Sequence, residues 1–203
     1  EKKVLWVPNG VDFAAIGAAN EAQPTGMRER LGIGAKDLVI AYAGIIGHAQ
    51  GLEVVLRASA LLREKRDICF LLLGDGPEKS KLQAMKSELG DIAVRFIDRM
   101  PRAELLALMR SIDAVVVPLR KNDLFKGAIP SKIFEALALG KPLLLGVEGE
   151  AKELFIDQGS SGLFFEPENE RALADAALVY HADRSLAAAH GAVCGPRYRN
   201  RRQ

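Results

Sequence analysis

The sequence predicts an α/β protein built on a Rossmann-like, doubly wound parallel sheet of about six strands. Three observations lead there. Short leucine- and valine-rich runs alternate with longer periodic segments from Leu38 onward, the pattern of repeated β-α units. Runs such as Ile68 to Leu73 and Ala114 to Pro118 show no apolar/polar alternation, as expected of strands covered by helices on both faces. Glycine or proline follows almost every run, where a strand must turn into a helix.

Taken in order, the strands are expected at 38–43, 68–73, 93–97, 113–117, 142–146 and 162–165. Helices are expected near 51–65, 78–89, 102–110, 131–139, 149–157 and 168–182. Gly74-Asp75-Gly76-Pro77, Pro101 and Pro167-Glu168 open three of these helices, because proline suits a first helical turn whose N–H groups have no partner. Residues 14–37 are rich in Ala, Gly, Asn, Gln and Thr and read as a connector with one helical turn at Met27 to Gly32. The expected organisation is an inter-domain strand and connector over 1–37, a nucleotide-sugar-binding domain over 38–183, and a C-terminal tail over 184–203.

At 203 residues, with 49% hydrophobic and 27% charged, the chain can bury one full core. The net charge is +2 and four arginines crowd the last seven residues, so the remainder is slightly acidic and no general basic face for nucleic acid is expected. Cys69 and Cys194 are too few and too differently placed for a disulfide framework or a zinc site. The apolar runs are strand-sized, far short of the roughly 20 residues a membrane helix requires. The first residues, Val4 to Asp12, read as a strand entering a turn without a signal-peptide pattern, so the chain is expected to begin inside a larger arrangement.

In an open parallel sheet the ligand lies beyond the carboxyl ends of the strands, which singles out the loops that follow them. These are Gly44 to Gly51, Gly74 to Pro77, Asp98 to Pro101, Arg120 to Ser131 and Val147 to Glu150. Glycines there let backbone N–H groups approach phosphate closely. The first loop reads G-x-x-G, not the dinucleotide fingerprint, and no G-x-x-x-x-G-K-[ST] occurs. The segment Gly127 to Pro142 sets a polar cluster at the mouth of a short helix: Ile133, Phe134, Ala136, Leu137, Ala138 and Leu139 are apolar nearly all round, and Lys132 and Glu135 are the exceptions. Both fall in the first turn, where an anion is favoured.

With these loops located, the chain resembles the C-terminal, donor-binding half of a GT-B fold glycosyltransferase of the retaining group 1 family. The markers are Val7-Pro8-Asn9-Gly10-Val11-Asp12, Leu72 to Pro77, Val94-Arg95-Phe96 with Pro101, Asp113 to Pro118, and Phe134 to Pro142. The resemblance implies that Glu135 accepts hydrogen bonds from the donor ribose and that the Arg99-Met100 loop lies beside the base. It further implies a nucleotide-binding surface made by Gly44, Gly47, Gln50, Asp75, Arg120, Ile129, Pro130, Ser131 and Lys132. His48 and Gly127 are expected at the donor sugar.

Two departures stand out. Gly127 occupies a position where the family often has a glutamate, and Ile45 and Gln50 stand where an arginine and a lysine commonly hold the diphosphate. Some other cation must then compensate the diphosphate, with Lys132 favoured and Arg120, Lys121 and Lys126 as further candidates. No metal and no cofactor are expected, the nucleotide sugar being a substrate.

The resemblance implies transfer of a sugar, most readily from UDP, to a saccharide or lipid-linked acceptor in bacterial surface polysaccharide synthesis. It implies a cytoplasmic protein, at the inner face of the membrane if the full-length enzyme associates peripherally with it. Its acceptor site would lie on an N-terminal domain outside these residues, so the 203 residues alone are expected to bind nucleotide without turnover. A nucleotide-sugar epimerase half and a non-catalytic nucleotide-binding module remain alternatives.

Overall fold

The computed structural model describes residues 11–12, 16–17 and 26–193. Of the strand and turn expected over Val4 to Asp12, Val11 and Asp12 fall among the described residues and the rest lies outside them, as does the arginine-rich end.

Six strands form one sheet: β1 Leu38–Ala43, β2 Ile68–Leu73, β3 Val94–Ile97, β4 Ala114–Pro118, β5 Leu143–Gly146 and β6 Gly162–Phe164. Every pairing is parallel, and the spatial order is β3-β2-β1-β4-β5-β6. The winding reverses between β1 and β4, so their carboxyl ends flank the crevice that such a sheet offers to a ligand.

The helices are α1 Met27–Arg30, α2 Glu53–Leu61, α3 Lys79–Leu89, α4 Arg102–Ser111, α5 Lys132–Ala138, α6 Glu150–Lys152, α7 Glu170–Ala182 and α8 Arg184–Ala192. A π-helical turn, Glu153–Asp157, extends α6. Successive side chains of a strand point to opposite faces, and both faces here are apolar. Leu38, Ile40 and Tyr42 of β1 join Phe70, Leu72, Val116 and Leu144 in a core closed by α2, α3, α7 and α8. Val39 and Ala41 join Leu71, Val115, Val117 and Leu145 in a second core closed by α4, α5 and α6. This double coverage is why the strand sequences show no alternation.

One boundary differs from expectation. Residues 184–193 are not a tail: Arg184–Ala192 is a helix capped by the Asp183 side chain, which accepts the Leu186 N–H at 3.0 Å. Ala187 is buried in the first core, and Gly191 lets the helix pack against Gly140, where a Cβ would lie 2.2 Å from the Gly140 carbonyl oxygen. The alanine-rich composition hid this packing, because small residues give a weak apolar signal yet permit close contact.

The sheet continues past its strands. Gly44 N–H donates to Leu73 O at 3.0 Å, Ile46 N–H to Asp75 O at 2.9 Å, and Glu78 N–H to Ile46 O at 3.1 Å. Gly74 has φ +134°, and a Cβ there would lie 2.0 Å from Gly44 O. Gly74→Ala should therefore destabilise the domain by about 1–3 kcal/mol or more, through strain and forced separation of the loops. A Cβ at Gly127 meets nothing within 4 Å, and Gly127→Ala should stay within about 0.5 kcal/mol of wild type. Urea unfolding of the two variants checks the contrast.

Candidate donor-binding site

The glycine loops after β1 and β2 form one wall of the crevice, and the segment entering α5 forms the other. Lys132, the first residue of α5, belongs to the helix layer of the second core, yet its Nζ lies 3.6 Å from the centroid of the Tyr42 ring in the first. The lysine thus crosses the carboxyl edge of β1. It passes beside Gly44, where a Cβ would stand 3.1 Å from Nζ. A glycine after β1 therefore makes room for an ammonium as well as for the backbone of Gly74.

The charge of Lys132 is held at a disadvantage. Desolvation lowers its pKa to about 7, and the through-space attraction of Glu135 only partly opposes this. Tyr42 is fully buried, and burial pushes its phenol above the ordinary tyrosine range, so the hydroxyl stays protonated and donates to Ile45 O at 2.5 Å.

The other expected cations are paired. The Arg120 guanidinium donates to His48 O at 2.8 Å, to Glu53 at 2.8 Å and to Glu168 at 3.0 Å, while Arg120 N–H reaches Ala49 O at 2.9 Å. Arg120 therefore fastens the first loop to β4 and to the loop after β6. Glu168 adopts φ +62° to meet it and also accepts Lys121 N–H at 3.0 Å. Lys121 Nζ pairs with Glu166 at 2.6 Å, and Lys126 with Asp123 at 2.7 Å. Among the described residues, Lys132 has no ion pair.

Glu135 sits one turn along α5 with its side chain 40% exposed, and Oε1 accepts from Arg102 at 2.8 Å. Arg102 begins α4, directly after the Arg99-Met100 loop, so this contact joins the expected base-reading loop to the expected ribose carboxylate. Arg99 is exposed, whereas Met100 is half-buried and packs on the second core. Ile129 packs there too, and Pro130 O accepts Ile133 N–H at 3.1 Å, setting the start of α5. Ser131 makes no side-chain cap.

Several expected contacts are spent locally. Gln50 Oε1 accepts Gly47 N–H at 3.2 Å, Asp75 Oδ1 accepts Gly76 N–H at 2.8 Å, and His48 is exposed with its carbonyl on Arg120. Gly127 is exposed with open space before it. No group of three or more His, Cys, Asp or Glu side chains that could hold a metal occurs among the described residues. A groove of 660 Å³ lies at the opposite end of the sheet, but the Lys141 ammonium in it is spent on the carbonyls of Arg110 and Ile112 at 2.7 and 2.8 Å. Tyr42, Arg102 and Glu53 escaped sequence reading. A tyrosine two residues before the loop glycine was the one available signal for Tyr42.

Residues 25–191 match the family model described as glycosyl transferases group 1. The chain belongs to this family. It is 28% identical over 174 residues to a protein named as a colanic acid biosynthesis glycosyl transferase, WcaI of Escherichia coli K12, covering 85% of this chain and 42% of that one. It is 30% identical over 189 residues to a GDP-mannose-dependent phosphatidylinositol monomannoside mannosyltransferase of Mycolicibacterium smegmatis, covering 91% and 49%. The chain thus spans less than half the length of these relatives. Its fold matches Anabaena HepE, solved with UDP and glucose, at TM-score 0.74 and 20% identity, covering 92% of this chain and 49% of that one.

The position of Lys132 has a consequence for stability. Its pKa falls from 10.5 in the unfolded chain to about 7 in the fold, so the unfolded state binds more protons between those values and stability rises with pH across that window. The contribution is fully present above the unfolded value and is lost as pH falls through about 7. Lys132→Met should remove this slope, with its advantage over wild type greatest below pH 7 and shrinking toward pH 10, as read by urea unfolding across that range.

Proposed function

We propose that this chain is the donor-binding half of a retaining glycosyltransferase that moves a sugar from a nucleotide diphosphate, UDP by preference, to a saccharide or lipid-linked acceptor in bacterial surface polysaccharide synthesis. Such work fits the cytoplasm, at the inner face of the membrane. The observation that carries the reading is Lys132, a cation without an ion pair among the described residues, seated beside the Gly44 loop and one helical turn from the half-exposed carboxylate Glu135.

The chemistry follows from charge. The donor diphosphate gains negative charge on its leaving oxygen as the glycosidic bond breaks, and a cation in a poorly solvated site stabilises that change more than one in water. Lys132, protonated against the phosphate, supplies it. Glu135 keeps acceptor capacity beyond its bond to Arg102, enough for ribose hydroxyls. Arg102 holds that carboxylate toward the loop that meets the base. In this reading the acceptor belongs to the part of the longer relatives that the chain does not span.

UDP is favoured because HepE was solved with it, and the mannosyltransferase relative makes GDP the rival. A second reading, a non-catalytic nucleotide-binding module, draws on the open Gly127 and on the neutral Ile45 and Gln50. Calorimetry with UDP, GDP, ADP and dTDP decides between the UDP and GDP readings and tests whether any nucleotide binds, which both the donor and the module readings require. One nucleotide should bind in preference. Glu135→Ala should cost about 1.5–3 kcal/mol of that binding, and Lys132→Ala should cost UDP a similar amount while leaving uridine nearly unchanged. No binding of any nucleotide at millimolar concentration would sink the donor reading, and equal losses for UDP and uridine would move Lys132 away from the phosphates.

A further inference from the structure

Tyr42 is a buried side chain that touches both the Lys132 segment and the loop after β1. Its ring faces the Lys132 ammonium at 3.6 Å, and its hydroxyl holds the Ile45 carbonyl at 2.5 Å. The ring is fixed from beneath: Tyr42 is fully buried in β1, paired in register with Leu72 of β2. Lys132, in contrast, enters from a seven-residue helix on the other face of the sheet, and among the described residues nothing else charged is bonded to its ammonium. A flexible four-carbon stem does not hold an ammonium in place by itself. The aromatic face supplies what a carboxylate would otherwise supply, an attractive surface of partial negative charge, without neutralising the cation.

Resting on the donor-site reading, we propose that Tyr42 is a positioning residue of that site: its ring seats Lys132 for the diphosphate, and its hydroxyl sets the Gly44 to Gly47 loop against the same phosphates. A carboxylate in the place of the ring would pair with Lys132 and compete with the donor. An aliphatic residue would leave the ammonium with neither solvent nor partner. Tyrosine keeps the cation available and fixed.

The charged groups around Lys132 do not supply an alternative seat. Glu135 on its own helix acts through space and is bonded to Arg102. Among the charged groups at the same end of the sheet, Lys79 pairs with Asp98, Asp75 bonds Gly76, and His48 is exposed. Glu148, after β5, makes no ion pair with Lys132.

The two contacts of Tyr42 separate experimentally. Tyr42→Phe keeps the ring and removes the bond to Ile45, whereas pentafluorophenylalanine at position 42 keeps the shape and removes the negative ring face. Both replacements preserve the buried volume, so folding is retained, as thermal unfolding would verify. The titration of Lys132 is followed by NMR of its side chain without ligand, and UDP and uridine affinities are measured from pH 6 to 9.

Tyr42→Phe should leave the Lys132 titration in place and, through the loop, weaken UDP modestly and uridine little. The fluorinated ring should lower the Lys132 titration further and weaken UDP at pH 7.5 by roughly tenfold relative to Phe, with uridine equal in the two. In Lys132→Met the Phe and fluorinated variants should bind UDP equally, because the ring acts through the lysine. Equal Lys132 titrations and equal UDP affinities in the Phe and fluorinated proteins would overturn the proposal. If wild type binds no nucleotide, the donor reading fails on its own, and the titration arm still decides whether the ring governs the ammonium.

Discussion

The close approach of two backbones governs the arrangement of the crevice. Beyond the ends of β1 and β2 the chains stay in hydrogen-bond contact through Gly44, Ile46, Asp75 and Glu78, and the Gly74 Cα lies too near Gly44 O for any side chain to intervene. That contact holds the first two loops together beyond the sheet edge. Were they to separate, Lys132 would lose the gap beside Gly44, and Arg120 would lose the carbonyls of His48 and Ala49 that it bridges. Both the cation and the clamp depend on two residues having no side chain.

The sheet was legible because its signals are strong and local. Six largely apolar runs, almost all followed by glycine or proline, mark the strands to within a residue or two, and the lack of alternation reflects cores on both faces. The α8 helix was missed because Ala187 and Gly191 pack through smallness, which periodicity of large apolar residues does not register. In the site, Lys132 and Glu135 stood out as polar residues in an otherwise apolar helix. The partners of the loop cations did not, since Glu53, Glu166 and Glu168 lie 45 to 67 residues from Arg120 and Lys121. No spacing rule joins groups that meet only after the sheet is assembled.

The positive charges near the crevice therefore divide into two kinds. Arg120 and Lys121 hold loops together through carboxylates, and Lys126 closes on its own loop, so their charge is largely cancelled where it stands. Burial pushes Glu53 up, but bonds from its own backbone N–H, Lys81 and Arg120 outweigh it and keep its carboxyl below the ordinary range. Lys132 lacks such compensation and is correspondingly easy to discharge. Protein electrostatics often concentrate function in this way, in the group whose ionised form the fold stabilises least.

Gly127 stands apart from these constraints. It needs no left-handed backbone, borders empty space, and belongs to a loop whose flanks are already fastened at Arg120 and at Pro130. The fold would admit almost any residue there at little cost, whereas Gly44 and Gly74 are held by packing. One end of the crevice is fixed by steric necessity, and the other is open to substitution.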